Sequence, residues 1–115
     1  MALQIVEKEI DGVTVLELFG RVTLGEESND LRTRIKDLLA QGKKRLVLDL
    51  GNVSYIDSAG LGTLVAGYTS SQNQGAGMKL ANLTRKFHEQ LSITKLVTVF
   101  EVHNSVADAI ASFGG

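Results

Sequence analysis

Asp57 and Ser58 stand side by side in the stretch YIDSAGLG, a carboxylate next to a hydroxyl, with Gly60 and Gly62 close behind. Two chemistries are open to such a pair. The hydroxyl could be a nucleophile activated by a base, or it could accept a covalent group, most simply a phosphoryl. The first needs partners that the chain supplies poorly. A nucleophile elbow has glycine two residues before and two after the serine; here those positions hold Ile56 and Gly60, half of the pattern. A serine triad needs a histidine, and only His88 and His103 exist, both in polar surroundings near expected element ends. The second chemistry needs only a reachable hydroxyl whose new charge the fold tolerates. Apolar residues lead up to the pair and a helical pattern follows it, so Ser58 is expected at or next to the N-cap of a helix. There its oxygen would accept from the Leu61 N–H, a contact typically worth about 1 kcal/mol. A phosphoryl group at that place would meet free N–H donors and the positive helix end. Asp57 could orient Ser58, act as an acid or base beside it, or be the cap itself; a loop carboxylate on helix-terminal N–H groups is the simplest of these.

Gly60 and Gly62 each cost about 0.8–1 kcal/mol relative to alanine inside a helix. Two of them in one first turn imply a close approach to the backbone, by a neighbouring loop of the same chain, by another protein or by an anion. Gly60-Leu61-Gly62-Thr63-Leu64-Val65 lacks the third glycine of a dinucleotide fingerprint and starts too far from a strand end. There is no Walker phosphate loop. Two scattered histidines and no cysteine offer no metal-ligand spacing, so neither a metal nor a cofactor is expected.

The elements that must hold these residues are legible in the pattern. Leu3 to Ile10 reads as a weak strand, Asp11-Gly12 as a tight hairpin, and Val13 to Phe19 as a stronger strand ended by Gly20. Thr23-Leu24-Gly25-Glu26 has capping-box spacing. Leu31, Ile35, Leu38 and Leu39 form one apolar stripe, and Gly42 is placed to end that helix. Arg45 to Leu50 is apolar on both faces, as in a covered parallel sheet. A loop is expected from Gly51 to Asp57 and a helix over 59–74, with Leu61, Leu64, Val65 and Tyr68 inward. Then follow a strand at Met78 to Ala81, a helix at Arg85 to Leu91 capped by Thr84 and burying Phe87 and Leu91, and a strand at Leu96 to Phe100. A last helix opens at Ser105, with Val106, Ile110 and Phe113 towards the core. An opening hairpin followed by alternating strands and helices means an α/β fold with a mixed sheet, helices covering it. At 115 residues the chain is read as one domain, 1–115, large enough to bury about 65% of its unfolded surface.

Composition removes whole classes of function. With 12 basic and 13 acidic residues, and no basic stripe, the footprint of a nucleic-acid binder is missing. The start MALQIVEKEI carries Glu7 and Glu9 and no long apolar run, so it is neither a signal peptide nor an anchor. No stretch approaches the roughly 18 apolar residues of a spanning helix. Membrane insertion is not expected, and a cytoplasmic location is; the absence of cysteine suits a reducing compartment.

Together the strand RLVLDL, the link GNVSYI and the run DSAGLGTLV resemble the STAS domain, and more narrowly the bacterial anti-sigma factor antagonists of sporulation and stress-response pathways. The resemblance covers essentially the whole chain. It implies a binding module without catalysis of its own, switched by phosphorylation. The unphosphorylated domain docks onto an anti-sigma factor that is also a serine kinase, and so frees a sigma factor. The kinase uses ATP to modify the serine directly after the motif aspartate, here Ser58, and a serine/threonine phosphatase reverses this. Asp57, Ser58, Ala59, Gly60, Leu61 and Gly62, with Thr23, would lie in the docking face. Many antagonists carry an acid in a G-x-[LV]-D pattern after the second strand; Gly20-Arg21-Val22-Thr23 has Thr23 in that place, which bears on kinase recognition. STAS domains also serve as constitutive subunits of lipid-transport ATPase complexes and signalling scaffolds, and a helix start at Gly60 could sense a nucleotide or other anion. The residues name neither the sigma factor nor the kinase, and leave the oligomeric state open.

Overall fold

A computed structural model of the chain describes residues 3–95 and 98–114. Strands β1 (Leu3–Ile10) and β2 (Val13–Val22) form the hairpin, with Asp11 and Gly12 both at positive φ. Then come α1 (Glu26–Ala40), β3 (Arg45–Ile56), α2 (Ser58–Asn73), β4 (Gly77–Ala81), α3 (Arg85–Ile93), β5 (Glu101–His103) and α4 (Val106–Ala111). The five strands lie in chain order, β1 antiparallel to β2 and the rest parallel. When strands are added always to the same side, crossovers of one hand put their helices on one face.

The core divides accordingly. Leu16, Leu18, Leu46, Leu48, Leu50 and Leu80 pack against the expected stripe of α1, against Leu61 and Leu64 of α2, and against Phe87 and Leu91 of α3. On the other face Val13, Val15, Val47 and Ala81 meet Ala109 of α4, with Val106, Ile110 and Phe113 at the rim. Each leucine taken fully out of water stabilises the fold by about 1.5–3 kcal/mol. Alternate residues of β2 thus serve the two faces, Leu16 and Leu18 on one and Val13 and Val15 on the other. The two coverings are unequal: α4 is six residues long, and towards β1 the second face carries an ion pair, Lys8 to Glu17 at 2.7 Å.

Four boundaries differ from expectation. The segment from Gly51 to Ile56 is strand, not loop, because β3 carries two extra residues against β2: Glu17 and Phe19 pair with Asp49 and Asn52, and Gly20 and Arg21 with Val53 and Tyr55. Such bulges bend a strand and break its alternation. Ser54, one of the extra residues, donates its hydroxyl to the Gly20 carbonyl at 3.2 Å. Correspondingly, β2 runs through Gly20 to Val22. At α1 the capping box does not form. The N-cap is Gly25 at φ 104°, without a side-chain cap bond, and Thr23 instead donates its hydroxyl to Glu27 at 2.6 Å. The last strand is Glu101–His103 rather than Leu96–Phe100; Leu96 and Val97 lie outside the described residues. Phe100 turns into the core, edge-on to the Tyr68 ring at 5.6 Å. The other end of α1 is as read: Gly42, at φ 85°, lets Lys43 donate to the Leu38 carbonyl and Gly42 to that of Leu39, the paired closure of a left-handed cap.

Candidate functional site

The bends in β3 deliver Asp57 to the end of β2, where its N–H donates to the Val22 carbonyl at 3.3 Å. Asp57 is the N-cap of α2. One carboxylate oxygen accepts from the Gly60 N–H at 2.8 Å, and the other accepts from the Leu24 N–H at 2.9 Å. The carboxylate thus ties the helix start to the link between β2 and α1. These bonds, that of Gly60 first and that of Leu24 second, hold the Asp57 carboxyl below its ordinary range. An anion with both oxygens engaged is a poor base, so Asp57 is the cap of the expected alternatives, and not an acid–base partner for its neighbour.

Ser58 is therefore not the cap. It occupies the first helical position, exposed, and the Leu61 N–H donates to the Asp57 carbonyl instead. No hydrogen bond engages the Ser58 hydroxyl among the described residues. His103 pairs with Glu101 at 2.6 Å on β5, and His88 is exposed on α3. Neither histidine is hydrogen-bonded to Ser58, and no triad forms.

The two glycines part company. Gly60 is buried, and a Cβ there would stand 2.2 Å from the Val22 carbonyl oxygen and 2.7 Å from Ile56 Cγ1. Its close neighbour is intramolecular, the end of β2. Gly62 is exposed, and a Cβ on it would meet nothing within 4 Å. Gly60 and Leu61 thus face inward and are withdrawn from the surface expected to meet a partner. Asp57, Ser58, Ala59, Gly62 and Thr23 remain at least partly exposed. Since space is free around Gly62, Gly62→Ala is expected to stabilise the domain by about 0.8–1 kcal/mol, read as a rise in thermal midpoint of ~4 °C.

Sequence reading passed over two residues of this site. Leu24 contributes the N–H just described. Gln90 of α3 donates its side-chain amide to the Ile56 carbonyl at 3.0 Å, fixing the residue before Asp57. Leu24 carried a weak signal, an apolar residue outside the α1 stripe; Gln90 carried none, since a glutamine on a short helix is ordinarily solvated.

The STAS domain profile matches residues 4–109. The chain belongs to the STAS domain family. BtrV of Bordetella bronchiseptica is 30% identical over 105 residues, which are 91% of this STAS domain and 90% of BtrV. An anti-sigma-B factor antagonist of Bacillus subtilis is 35% identical over 72 residues, 63% of this chain and 65% of that one. The crystal structure of an anti-sigma factor antagonist from Mycobacterium paratuberculosis superposes with a TM-score of 0.83 at 22% identity, covering 96% of this STAS domain and 92% of the other chain. That likeness establishes the fold. Among the described residues no helix is long and apolar enough to cross a membrane.

The Asp57 clamp has a pH signature. A carboxyl whose folded pKa is depressed stabilises the fold fully above its unfolded value, about 3.9, and loses that contribution as pH falls through the folded value. Asp57→Asn is accordingly expected to lower the thermal midpoint at about pH 7 and to narrow its deficit against the wild type as pH falls below about 4. Melting curves of both proteins across that range check this; a deficit constant with pH would mean that the charge of Asp57 does not hold the clamp.

Proposed function

We propose that this STAS domain is an anti-sigma factor antagonist, a cytoplasmic binding module whose partner choice is switched by phosphorylation of Ser58. With Ser58 unmodified it sequesters an anti-sigma factor that is also a serine kinase, releasing a sigma factor; a serine/threonine phosphatase restores that state after modification. It catalyses nothing itself. The observation that carries the reading is the exposed, unengaged hydroxyl of Ser58 on the first turn of α2, beside a carboxylate whose oxygens are already taken by backbone N–H groups. Such a hydroxyl has no base of its own chain beside it, which suits a phosphoryl acceptor whose proton the kinase's base removes as ADP leaves, and not the nucleophile of a catalytic site in this chain. Its position at a helix start lets the fold carry an added negative charge. The names of relatives support the same class of partner.

The test is intact-mass measurement on the protein taken from its native cells, before and after phosphatase treatment. A single phosphate mapping to Ser58 is expected, removed by the phosphatase and absent from Ser58→Ala. A chain unmodified under every growth condition would overturn the switch and favour a constitutive subunit.

A further inference from the structure

We infer that the outer edge of β1 takes an extended segment of another protein as a sixth strand, one that carries basic side chains at alternate positions. Among the described residues β1 pairs with β2 alone and forms one edge of the sheet. Ser58 follows β3, so β2 stands between this edge and the strand that leads to it. The register of β1 runs unbroken over eight residues, without bulge or proline, whereas β5 at the other edge is three residues long. Shortness, bulges and prolines are among the ordinary means of closing an edge to a further strand. The hairpin turns in two residues at positive φ, Asp11 and Gly12, so Ile10 and Val13 are a hydrogen-bonded pair. By alternation Lys8, Val6 and Gln4 also bond to β2, and the N–H and C=O groups of Ile5, Glu7 and Glu9 point out of the sheet. Those are the donors and acceptors that an added strand engages.

Helix α1 flanks that edge. Leu3, Ile5, Glu7 and Glu9 stand opposite Gly20, Leu18, Leu16 and Thr14, with their side chains on the α1 side of the sheet. An open groove of about 580 Å³ runs between Leu3, Gln4 and Ile5 on one wall and Asp30, Arg34 and Asp37 on the other, enough for several side chains. The helical wall repeats at three and four residues, so one flank of α1 follows the groove. Its charge decides the occupant. Arg34 pairs with Glu7 at 3.6 Å, and Lys43 with Glu9 at 2.6 Å. Asp30 and Asp37, both exposed, form no ion pair among the described residues. The cations Arg34 and Lys43 are thus matched by acids of β1, and the two aspartates remain. Every second residue of an added strand meets α1, and lysine or arginine there complements Asp30 and Asp37. A second copy added antiparallel through its own β1, about a two-fold axis, would bring its Glu7 and Glu9 to that side, like charge against like. On the opposite face half-buried Val6 suits an apolar residue at the alternate positions.

The experiment uses the full chain and, as probe, a capped peptide of alternating lysine and valine as long as β1, with a counterpart that carries glutamate for lysine. Amide hydrogen exchange is followed residue by residue by NMR. With the lysine peptide at about ten times its Kd, the N–H groups of Ile5, Glu7 and Glu9 are expected to exchange about tenfold more slowly. The glutamate peptide is expected to leave them unchanged. Asp30→Lys combined with Asp37→Lys, at two exposed positions of α1, is expected to keep the melting temperature, to raise Kd for the lysine peptide about tenfold, and to transfer the protection to the glutamate peptide. Four results would each overturn the inference. The lysine peptide fails to bind, or both peptides bind alike. Binding leaves the three amides unprotected, which means charge attraction without a strand. The charge reversal changes neither affinity. The three amides are protected in the free protein in step with its concentration, which makes a second copy the occupant.

Discussion

Phosphorylation of Ser58 is expected to lower the affinity of this domain for its docking partner about a thousandfold while leaving the fold intact. The phosphoryl group brings a charge of about −1.5 to −2 at neutral pH. It arrives beside Asp57, whose carboxylate the Gly60 and Leu24 N–H groups keep ionised. In the free domain this is tolerable: Ser58 is exposed, so water solvates the new oxygens, and the positive end of α2 offsets part of the repulsion. In a complex that covers Ser58 the water is gone. Two adjacent anionic groups must then find counter-charges or bear a desolvation cost of several kcal/mol. A difference of about 4 kcal/mol is a factor of a thousand in Kd.

Three preparations separate charge from shape. The phosphorylated chain is expected to lose binding, Ser58→Asp to lose less because it adds one charge on a shorter arm, and Ser58→Ala to bind like the unmodified protein while accepting no phosphate. Calorimetric titration with the purified partner gives the affinities; circular dichroism and thermal melts should be superimposable among the three. Equal affinity of the phosphorylated and unmodified chains would sink the charge argument outright.

What could be read in the sequence, and what could not, follows from the range of the interactions involved. The α1 stripe of Leu31, Ile35, Leu38 and Leu39 was legible because helical spacing is local, and so was its end at Gly42, where a left-handed cap calls for a residue without a Cβ. The Thr84 cap on the Phe87 N–H was legible for the same reason. The length of β3 was not. Gly51 and Asn52 read as turn residues, and only pairing with β2 in space, with two bulges, keeps Gly51 to Ile56 in the sheet. Choosing the cap between Asp57 and Ser58 was likewise beyond local pattern, since both residue types cap well. A long-range contact decides it: the second oxygen of Asp57 is claimed by the N–H of Leu24, 33 residues away. The glycines show the same limit. Sequence marks both Gly60 and Gly62 as costly in a helix, but only the position of Val22 tells which of them the fold requires.

That requirement gives the largest expected effect on stability. Gly60→Ala is expected to destabilise the domain by about 3 kcal/mol, at the upper end of ordinary overpacking, and to lower the thermal midpoint by about 12 °C. A carbon and a carbonyl oxygen rest comfortably at about 3.3 Å or more, whereas the added Cβ would lie 2.2 Å from the oxygen of Val22. Relief by a rotamer change is not available, because the nearest obstacle is the backbone at the end of β2. The Val22 carbonyl accepts from Asp57, so any shift that makes room pulls apart the joint between β2 and α2 on which the Leu24 clamp depends. Helix propensity alone predicts the opposite sign, a gain of about 1 kcal/mol for each glycine replaced by alanine. Gly62→Ala, two residues on and in open space, therefore serves as the internal control. Urea or thermal unfolding of the two variants should move in opposite directions from the wild type. If both instead raise the midpoint, the end of β2 yields to a methyl group, and the mooring of Asp57 to β2 is softer than its contacts imply.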